Sequence, residues 1–419
     1  MASPGTFSLL SQALVAAWAR LDKSFSPTLT IKKLRAHHFR PADLIYIVHF
    51  LLATFWFTIM QDPPFPLKLL IPAVWILALL IPATSQFFLP ATPIFSYLLA
   101  FYSSRFVPAS IRPAISVSIL PTLESVLYGA NISDILTRFT HPVLDVIAWI
   151  PYGVGHFTLP FVVAIFVWLF RSKRALMLWG SVFGWMNLTG VLIQIVFPCS
   201  PPWYEVIHGL MPANYSMKGS PGGLARIDAL LHTQMYTTAF TNSPMVFGAF
   251  PSLHAGAATM EALFISHFFP QLTKFVWAYT AVLYWATMYL THHYLIDVVG
   301  GACMATAFFY LFLPDDLKGK AALEGPANFN FVKPSKYQVY DLEEPRGPVA
   351  QDFEPAESED EEVDITYRSP VPAVAKFQKQ QEKGHRHTAS IASLIRSDER
   401  GPEEGWSPVT SSFGNSSRV

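Results

Sequence analysis

The chain has 419 residues, of which 52% are hydrophobic and only 14% charged, too little charge to coat a soluble body of this length. Lys plus Arg and Asp plus Glu are equal at 29 each, so no global basic surface offers itself to nucleic acid. The two cysteines, Cys199 and Cys303, lie at the end of one apolar run and inside another, which suggests neither a disulfide framework nor a metal site.

The bias is uneven along the chain. Residues 42–313 hold nearly all the long apolar runs, whereas 314–419 are rich in Glu, Lys, Ser and Pro. The expectation is an all-α, polytopic transmembrane helical bundle of about six to eight spans with a disordered C-terminal tail. Three regions follow: 1–41, a cytosolic N-terminal segment; 42–313, the transmembrane catalytic domain; and 314–419, a disordered cytosolic tail.

At the N-terminus no positive side chain precedes Phe7-Ser8-Leu9-Leu10, so the stretch does not read as a cleaved signal. Leu10, Leu14, Ala17, Trp18 and Leu21 recur at helical spacing, which predicts an amphipathic helix over 6–22 lying on the membrane. Spanning candidates follow at 42–60, 66–82, 153–170, 175–198, 251–269, 273–291 and 294–313, with 86–103 a further stretch long enough to cross. Lys23, Lys32, Lys33, Arg35 and Arg40 place the N-terminus in the cytosol, as Arg171, Lys173 and Arg174 do the loop after 170. The loop 199–250 and the turn at 291–294 are then lumenal. Eight spans satisfy both ends but put Arg105 and Arg112 on the lumenal side, against the usual bias; a re-entrant 86–103 would give seven. The tail carries an acidic run (Glu357, Glu359, Asp360, Glu361, Glu362) and then a basic, serine-containing stretch at 383–400, with no apolar periodicity to build a core.

Three features converge on the lumenal face. Phe250-Pro251-Ser252-Leu253-His254 sits where a loop becomes a helix, with Pro251 suited to the first turn. Free N–H groups there favour an anion, Ser252 adds a hydroxyl donor, and His254 can give or take a proton. An ordinary helix start with an interfacial histidine is the plainer account of this segment alone. Thr291-His292-His293-Tyr294-Leu295-Ile296-Asp297 begins the last span, with His293 and Asp297 at i and i+4. A carboxylate on one ring nitrogen fixes the tautomer and leaves the other as nucleophile or base. An ionisable pair at a span entrance is expensive, which favours function over mere mutual satisfaction. Gly300 and Gly301 follow and allow close helix packing. The third feature is the glycine-rich loop around Lys218 and Arg226, whose cations suit phosphate, although taken alone a flexible exposed loop is the plainer account. Glu261, His156, Asn187 and Gln194 read as interhelical bonds rather than ligands.

Pro-Ser-x-His at one helix start and His-x3-Asp at another resemble the second and third signatures of the type-2 phosphatidic acid phosphatase superfamily. Phe197–Tyr204, Gly219–Arg226, Phe247–His254 and Tyr289–Tyr294 are similar to one branch of it, the fungal inositol phosphorylceramide synthases, over roughly 40–315. The resemblance implies transfer of phosphoinositol from phosphatidylinositol to ceramide with release of diacylglycerol. It also implies a Golgi membrane, a lumenal site and a small regulatory membrane subunit as partner. Carried over by motif, His293 is the nucleophile, Asp297 its orienting carboxylate and His254 the acid/base; Arg226 and Lys218 are candidates for holding phosphate in place of the superfamily's cations, with Ser252 at the helix start. No metal or organic cofactor is called for. The superfamily's third signature has an Arg six residues before the histidine where this chain has Thr287, and its first signature, a Lys followed by Arg-Pro, is not evident. A lipid phosphate phosphatase using water, and a transporter, are the competing readings.

Overall fold

Proline and glycine decide where this apolar chain bends. The computed structural model describes residues 6–323; the rest of the predicted disordered tail, from 324, lies outside them. The N-terminal helices are α1 (Thr6–Arg20), α2 (Pro27–Ala36), α3 (Leu44–Ile59), α4 (Leu70–Leu80), α5 (Pro82–Phe88) and α6 (Thr92–Ser103). Short helices α7 (Ile119–Tyr128), α8 (Ile132–Thr137) and α9 (Pro142–Trp149) lead through a π-turn into α10 (His156–Phe170) and α11 (Lys173–Val196). After α12 (Pro202–His208), α13 (Leu224–Leu230) and α14 (Met235–Thr241) come α15 (Leu253–Phe268), α16 (Thr273–Tyr289) and α17 (Leu295–Phe312). The described residues hold no strand longer than an isolated bridge.

The fold is all-helical. Among the described residues three helical stretches are long and apolar enough to cross a membrane: Pro142–Phe170, Lys173–Val196 and Leu295–Phe312. A fourth is added if Leu67–Leu80 and Pro82–Phe88, bent by 109°, count as one span. The bend falls at the end of the span expected over 66–82. Pro82 lacks an N–H and forces Ile81 out of the helical region (φ −82°, ψ 120°), so α4 stops and α5 restarts with Pro82 in its first turn. No side chain of α4 is buried, and Leu70, Val74, Ile76 and Leu77 are all exposed. Trp75 packs inward, on Phe88 and Phe95, and so wide an exposed apolar surface suits lipid as its solvent.

The predicted N-terminal amphipathic helix is α1, and its faces divide by size. Ala13 and Ala17 are fully buried, while Leu10, Leu14 and Trp18 stay exposed. It packs on α10, and Arg20 Nη2 donates to Trp168 O at 2.9 Å.

Helix α15 occupies the centre, packed by α10, α11, α16 and α17. Its small residues Ala255, Gly256, Ala257 and Ala258 let neighbouring backbones close in. A Cβ on Gly301 of α17 would lie 2.1 Å from Ser252 O and 3.1 Å from Gly256 N. At the far end Arg171 clamps the α15 C-terminus, its Nε donating to Phe268 O at 2.9 Å and its Nη2 to the same carbonyl. Burial lowers that guanidinium to about 10. The chain after 313, where disorder was expected to begin, continues as short turns on the same end: Leu317 is buried, and its carbonyl meets His267 Nε2 at 2.7 Å.

Gly301→Ala is the direct test of this packing. The added methyl faces backbone rather than a movable side chain, so the helices must separate. The expected loss is about 1–3 kcal/mol of stability, read as a lower melting temperature in detergent. Cys303→Ala, on an exposed position of the same helix, should leave it unchanged.

Candidate active site

The site begins with a backbone pairing. Cys199 N donates to Phe247 O at 2.8 Å and Ala249 N to Cys199 O at 3.3 Å, while Ser116 N and Ser200 N bond Pro198 O and Ser116 O. This pinned segment turns at Pro251 into α15. Ser252, not Pro251, is the boundary: its Oγ accepts from Ala255 N at 3.2 Å as an N-cap, and Pro251 precedes the cap rather than occupying the first turn. His254 is therefore the second residue of α15. The Ser252 hydroxyl proton remains available as a donor, although the residue is fully buried.

Opposite, α16 ends in a turn. Thr291 takes φ +64°, a region that β-branched residues rarely enter, and both His292 N and His293 N bond Thr287 O. His293 thus precedes α17 instead of lying within it, so its link to Asp297 is not the i, i+4 helical pairing expected. His293 Nδ1 is 3.0 Å from Ala249 O and 3.6 Å from Asp297 Oδ2. The carbonyl is within hydrogen-bond range and the carboxylate is not, so the carbonyl sets the tautomer and the carboxylate supplies field. With Nδ1–H donating to Ala249 O, Nε2 carries the ring's lone pair and accepts from His254. It lies 3.3 Å from His254 Nδ1. Asp297 Oδ2 accepts from Tyr294 N at 2.9 Å, closing the first turn of α17, and Ser252 N donates to Asp297 O at 3.0 Å.

A ring of aromatic and polar groups supports the two histidines. Tyr152 stacks on His254 at 4.3 Å and on His292 at 5.2 Å, and the His156 ring lies 4.3 Å from His254. His156 Nδ1 makes no hydrogen bond among the described residues, so it is not the interhelical tie expected. Nor is Asn187, which bonds Phe183 O on its own helix; Gln194 does reach across, to Pro251 O at 3.0 Å. Glu261 is fully buried with neither oxygen bonded among the described residues.

The glycine-rich loop folds onto the same turn. Gly222 has φ +52°, and a Cβ there would sit 2.4 Å from Thr291 Oγ1. His292 Nε2 meets Pro221 O at 3.1 Å, and burial pushes that imidazole down to about 3, keeping it neutral. The loop's two cations part company. Arg226 Nε donates to Asp145 Oδ1 at 2.8 Å, an oxygen that also accepts from Tyr289, and about a third of the Arg226 side chain stays exposed above the turn. Its Nη2 approaches the same oxygen at 2.8 Å without hydrogen-bond alignment and is itself buried. Lys218 lines a different cavity, to which no histidine contributes.

Sequence reasoning missed Glu124 and Ser133. Ser133 Oγ donates to His293 O at 3.0 Å, and Glu124 Oε1 accepts from Leu295 N at 3.0 Å. Both come from the short helices before α9, whose only sequence signal is a lone Glu inside an apolar window. Among the described residues no three His, Cys, Asp or Glu side chains converge as a metal would require.

A bundle that brings two histidines face to face at helix starts, one beside an aspartate, is the arrangement of a phosphoryl-transfer site. Residues 119–311 match the model of the PAP2 superfamily. The chain is 49% identical over 292 residues to the inositol phosphorylceramide synthase catalytic subunit of Schizosaccharomyces pombe, covering 69% of each chain. It is 43% identical to the Candida albicans inositol phosphorylceramide synthase (80% of this chain, 70% of that one). The Saccharomyces cerevisiae catalytic subunit is 46% identical (70% and 73%). No solved structure matches. The chain belongs to the inositol phosphorylceramide synthase family, which sets aside the phosphatase and transporter readings.

Glu124 makes the site pH-sensitive. Burial, with Asp297 nearby, raises its carboxyl to about 7 from an ordinary 4.5, against the bonds from Leu295 and Ser133 that favour the charge. A raised folded-state value means stability that is fully present below about 4.5 and is lost as pH rises through about 7. Wild-type protein should therefore lose on the order of 1–3 kcal/mol between those limits relative to Glu124→Gln. Parallel melting curves for the two proteins across pH 5–8 would contradict this.

Proposed function

We infer that this chain is an inositol phosphorylceramide synthase of sphingolipid biosynthesis, moving phosphoinositol from phosphatidylinositol to the primary hydroxyl of ceramide in two displacements at His293. The observation that carries the mechanism is the 3.3 Å approach of His254 Nδ1 to His293 Nε2, with His293 Nδ1 held at 3.0 Å from Ala249 O.

In the first displacement Nε2 attacks phosphorus and a proton on His254 passes to the departing diacylglycerol oxygen. The incoming phosphodiester anion stabilises the imidazolium that His254 must become. In the second, His254 takes the proton of the ceramide hydroxyl, which attacks the phosphohistidine and restores Nε2. Asp297 stabilises the positive charge on His293 through space, and the α15 N-terminus with the Ser252 hydroxyl faces developing negative charge. Arg226 is the cation best situated for phosphate; Lys218, in a separate cavity, is not assigned that role.

His293→Ala and His254→Ala should each lower transfer by about 10³-fold or more while membrane insertion is kept. Asp297→Asn should lower it less, because the Ala249 carbonyl still orients the ring. Normal turnover of His293→Ala in a phosphatidylinositol-plus-ceramide assay would sink the proposed nucleophile.

For the membrane arrangement we adopt the eight-span reading, with 42–313 as catalytic bundle, the tail cytosolic and the histidines at the lumenal face of the Golgi. The words "catalytic subunit" in the names of the fission- and budding-yeast relatives support a complex with a small regulatory membrane subunit. Asn214 is the best reporter of sidedness: it is exposed, with Ser216 turned onto its side chain, whereas Asn131 caps α8 and bonds Glu205. The third sequon, Asn415-Ser416-Ser417, lies outside the described residues. A glycan on Asn214, and a protease site inserted in 199–250 that survives in sealed vesicles, are expected. Cleavage there without detergent would reverse the topology.

A further inference from the structure

A cavity of about 350 Å³ opens between the chain that follows α6, the C-terminal turn of α11, and the segments 215–218 and 243–247. Three of its side chains are cations, Arg105, Arg112 and Lys218, and none is a carboxylate. Nor does any of the three reach a carboxylate at ion-pair distance elsewhere among the described residues.

The cations are positioned rather than scattered. Arg112 Nε donates to Val107 O and its Nη2 to Arg105 O, each at 2.8 Å, and its guanidinium lies 4.8 Å from the centre of the Tyr215 ring. Tyr215 is held in turn by its hydroxyl, which donates to Pro113 O at 2.7 Å. Arg112 Nη1 has no bond among the described residues. Arg105 lies over Tyr102 at 4.6 Å, with only a 3.5 Å contact from Nη2 to Asn242 O. Lys218 makes no hydrogen bond among the described residues and is exposed at the rim. Like charges around one hollow repel unless an anion enters. In the eight-span reading these arginines also stand on the face where membrane proteins carry few cations.

We propose that this cavity is a second anion site, taking a phosphate group, either in the headgroup of an anionic phospholipid or as a soluble phosphate, apart from the histidines. Planar guanidinium donors suit phosphate oxygens, and the volume suits a headgroup rather than a bare halide. Val246 and Phe247 wall the cavity, while Ala249, two residues on, holds His293 from the other side. The inference does not rest on the transfer reading, because its test measures binding alone.

Full-length protein is placed in phosphatidylcholine nanodiscs, and binding of phosphatidylglycerol and of inorganic phosphate is measured separately. The proteins compared are wild type, His293→Ala, Lys218→Gln and Arg105→Gln/Lys218→Gln. Both substituted cations are exposed and Arg112, which ties the backbone, is left intact, so folding should be kept; Lys218→Gln alone provides the milder variant. Wild type and His293→Ala should bind at least one probe equally. Lys218→Gln should bind it severalfold more weakly, and the double variant about tenfold or more. Phosphatidylglycerol binding without phosphate binding assigns the site to a lipid headgroup; phosphate binding assigns it to the soluble ion. Binding of neither probe, binding unchanged in the double variant, or binding lost in His293→Ala would overturn the proposal.

Discussion

Everything at the site depends on how closely the start of α15 approaches α17. Gly301 lets Ser252 O come within a distance that no Cβ would permit, and Ser252 N bonds Asp297 O directly. That contact is backbone against backbone, so it sets position without depending on side-chain rotamers. His254 is two residues from it on one side, and His293 is four residues from it on the other. The 3.3 Å separation of the two imidazoles follows from a missing side chain at Gly301, eight residues beyond His293, in the body of the bundle.

The polar groups around this contact lie at one end of an apolar bundle, where each unsatisfied donor or acceptor is costly. The fold meets part of that demand in layers, while Asp297 Oδ1 and Glu124 Oε2 are buried with no partner among the described residues. Backbone pairing through Cys199 holds Ala249, Asp297 closes the first turn of its own helix, and Glu124 and Ser133 cap the turn from a segment more than 150 residues away. Tyr294 OH and Asn131 share Glu205 in the same manner. Asp297 is therefore as much a structural cap as a partner for His293, and removing its carboxylate disturbs both. Lipid-facing helices such as α4 contribute nothing to this network.

Much of the arrangement was legible in the sequence because it is local. Helical spacing located α1 and the apolar stretches, and the two histidine motifs marked helix starts. Pro82 was legible as punctuation, yet the 109° turn it makes depends on what α5 packs against. The geometry of the His293–Asp297 pair was not legible because i, i+4 spacing assumes a helix already begun at His293, and the turn at Thr291 delays it. Lys218 and Arg226 share one short loop, and only the tertiary fold shows that one turns to Asp145 and the other to a separate cavity. Glu124 was invisible for the same reason: its partner is Leu295 N, and no spacing rule links residues so far apart.

The central claim is that the Ala249 carbonyl fixes the His293 tautomer and leaves Nε2 as the attacking atom. Wild-type protein incubated with phosphatidylinositol labelled in its phosphate, without ceramide, and quenched in alkali should carry acid-labile label. Mass spectrometry should place that label on His293, and chromatography of the digested histidine should give the Nε2-phosphorylated isomer. Added ceramide should discharge it into inositol phosphorylceramide. Label on His254, label on Nδ1 of His293, or turnover in which no labelled protein forms would contradict the account.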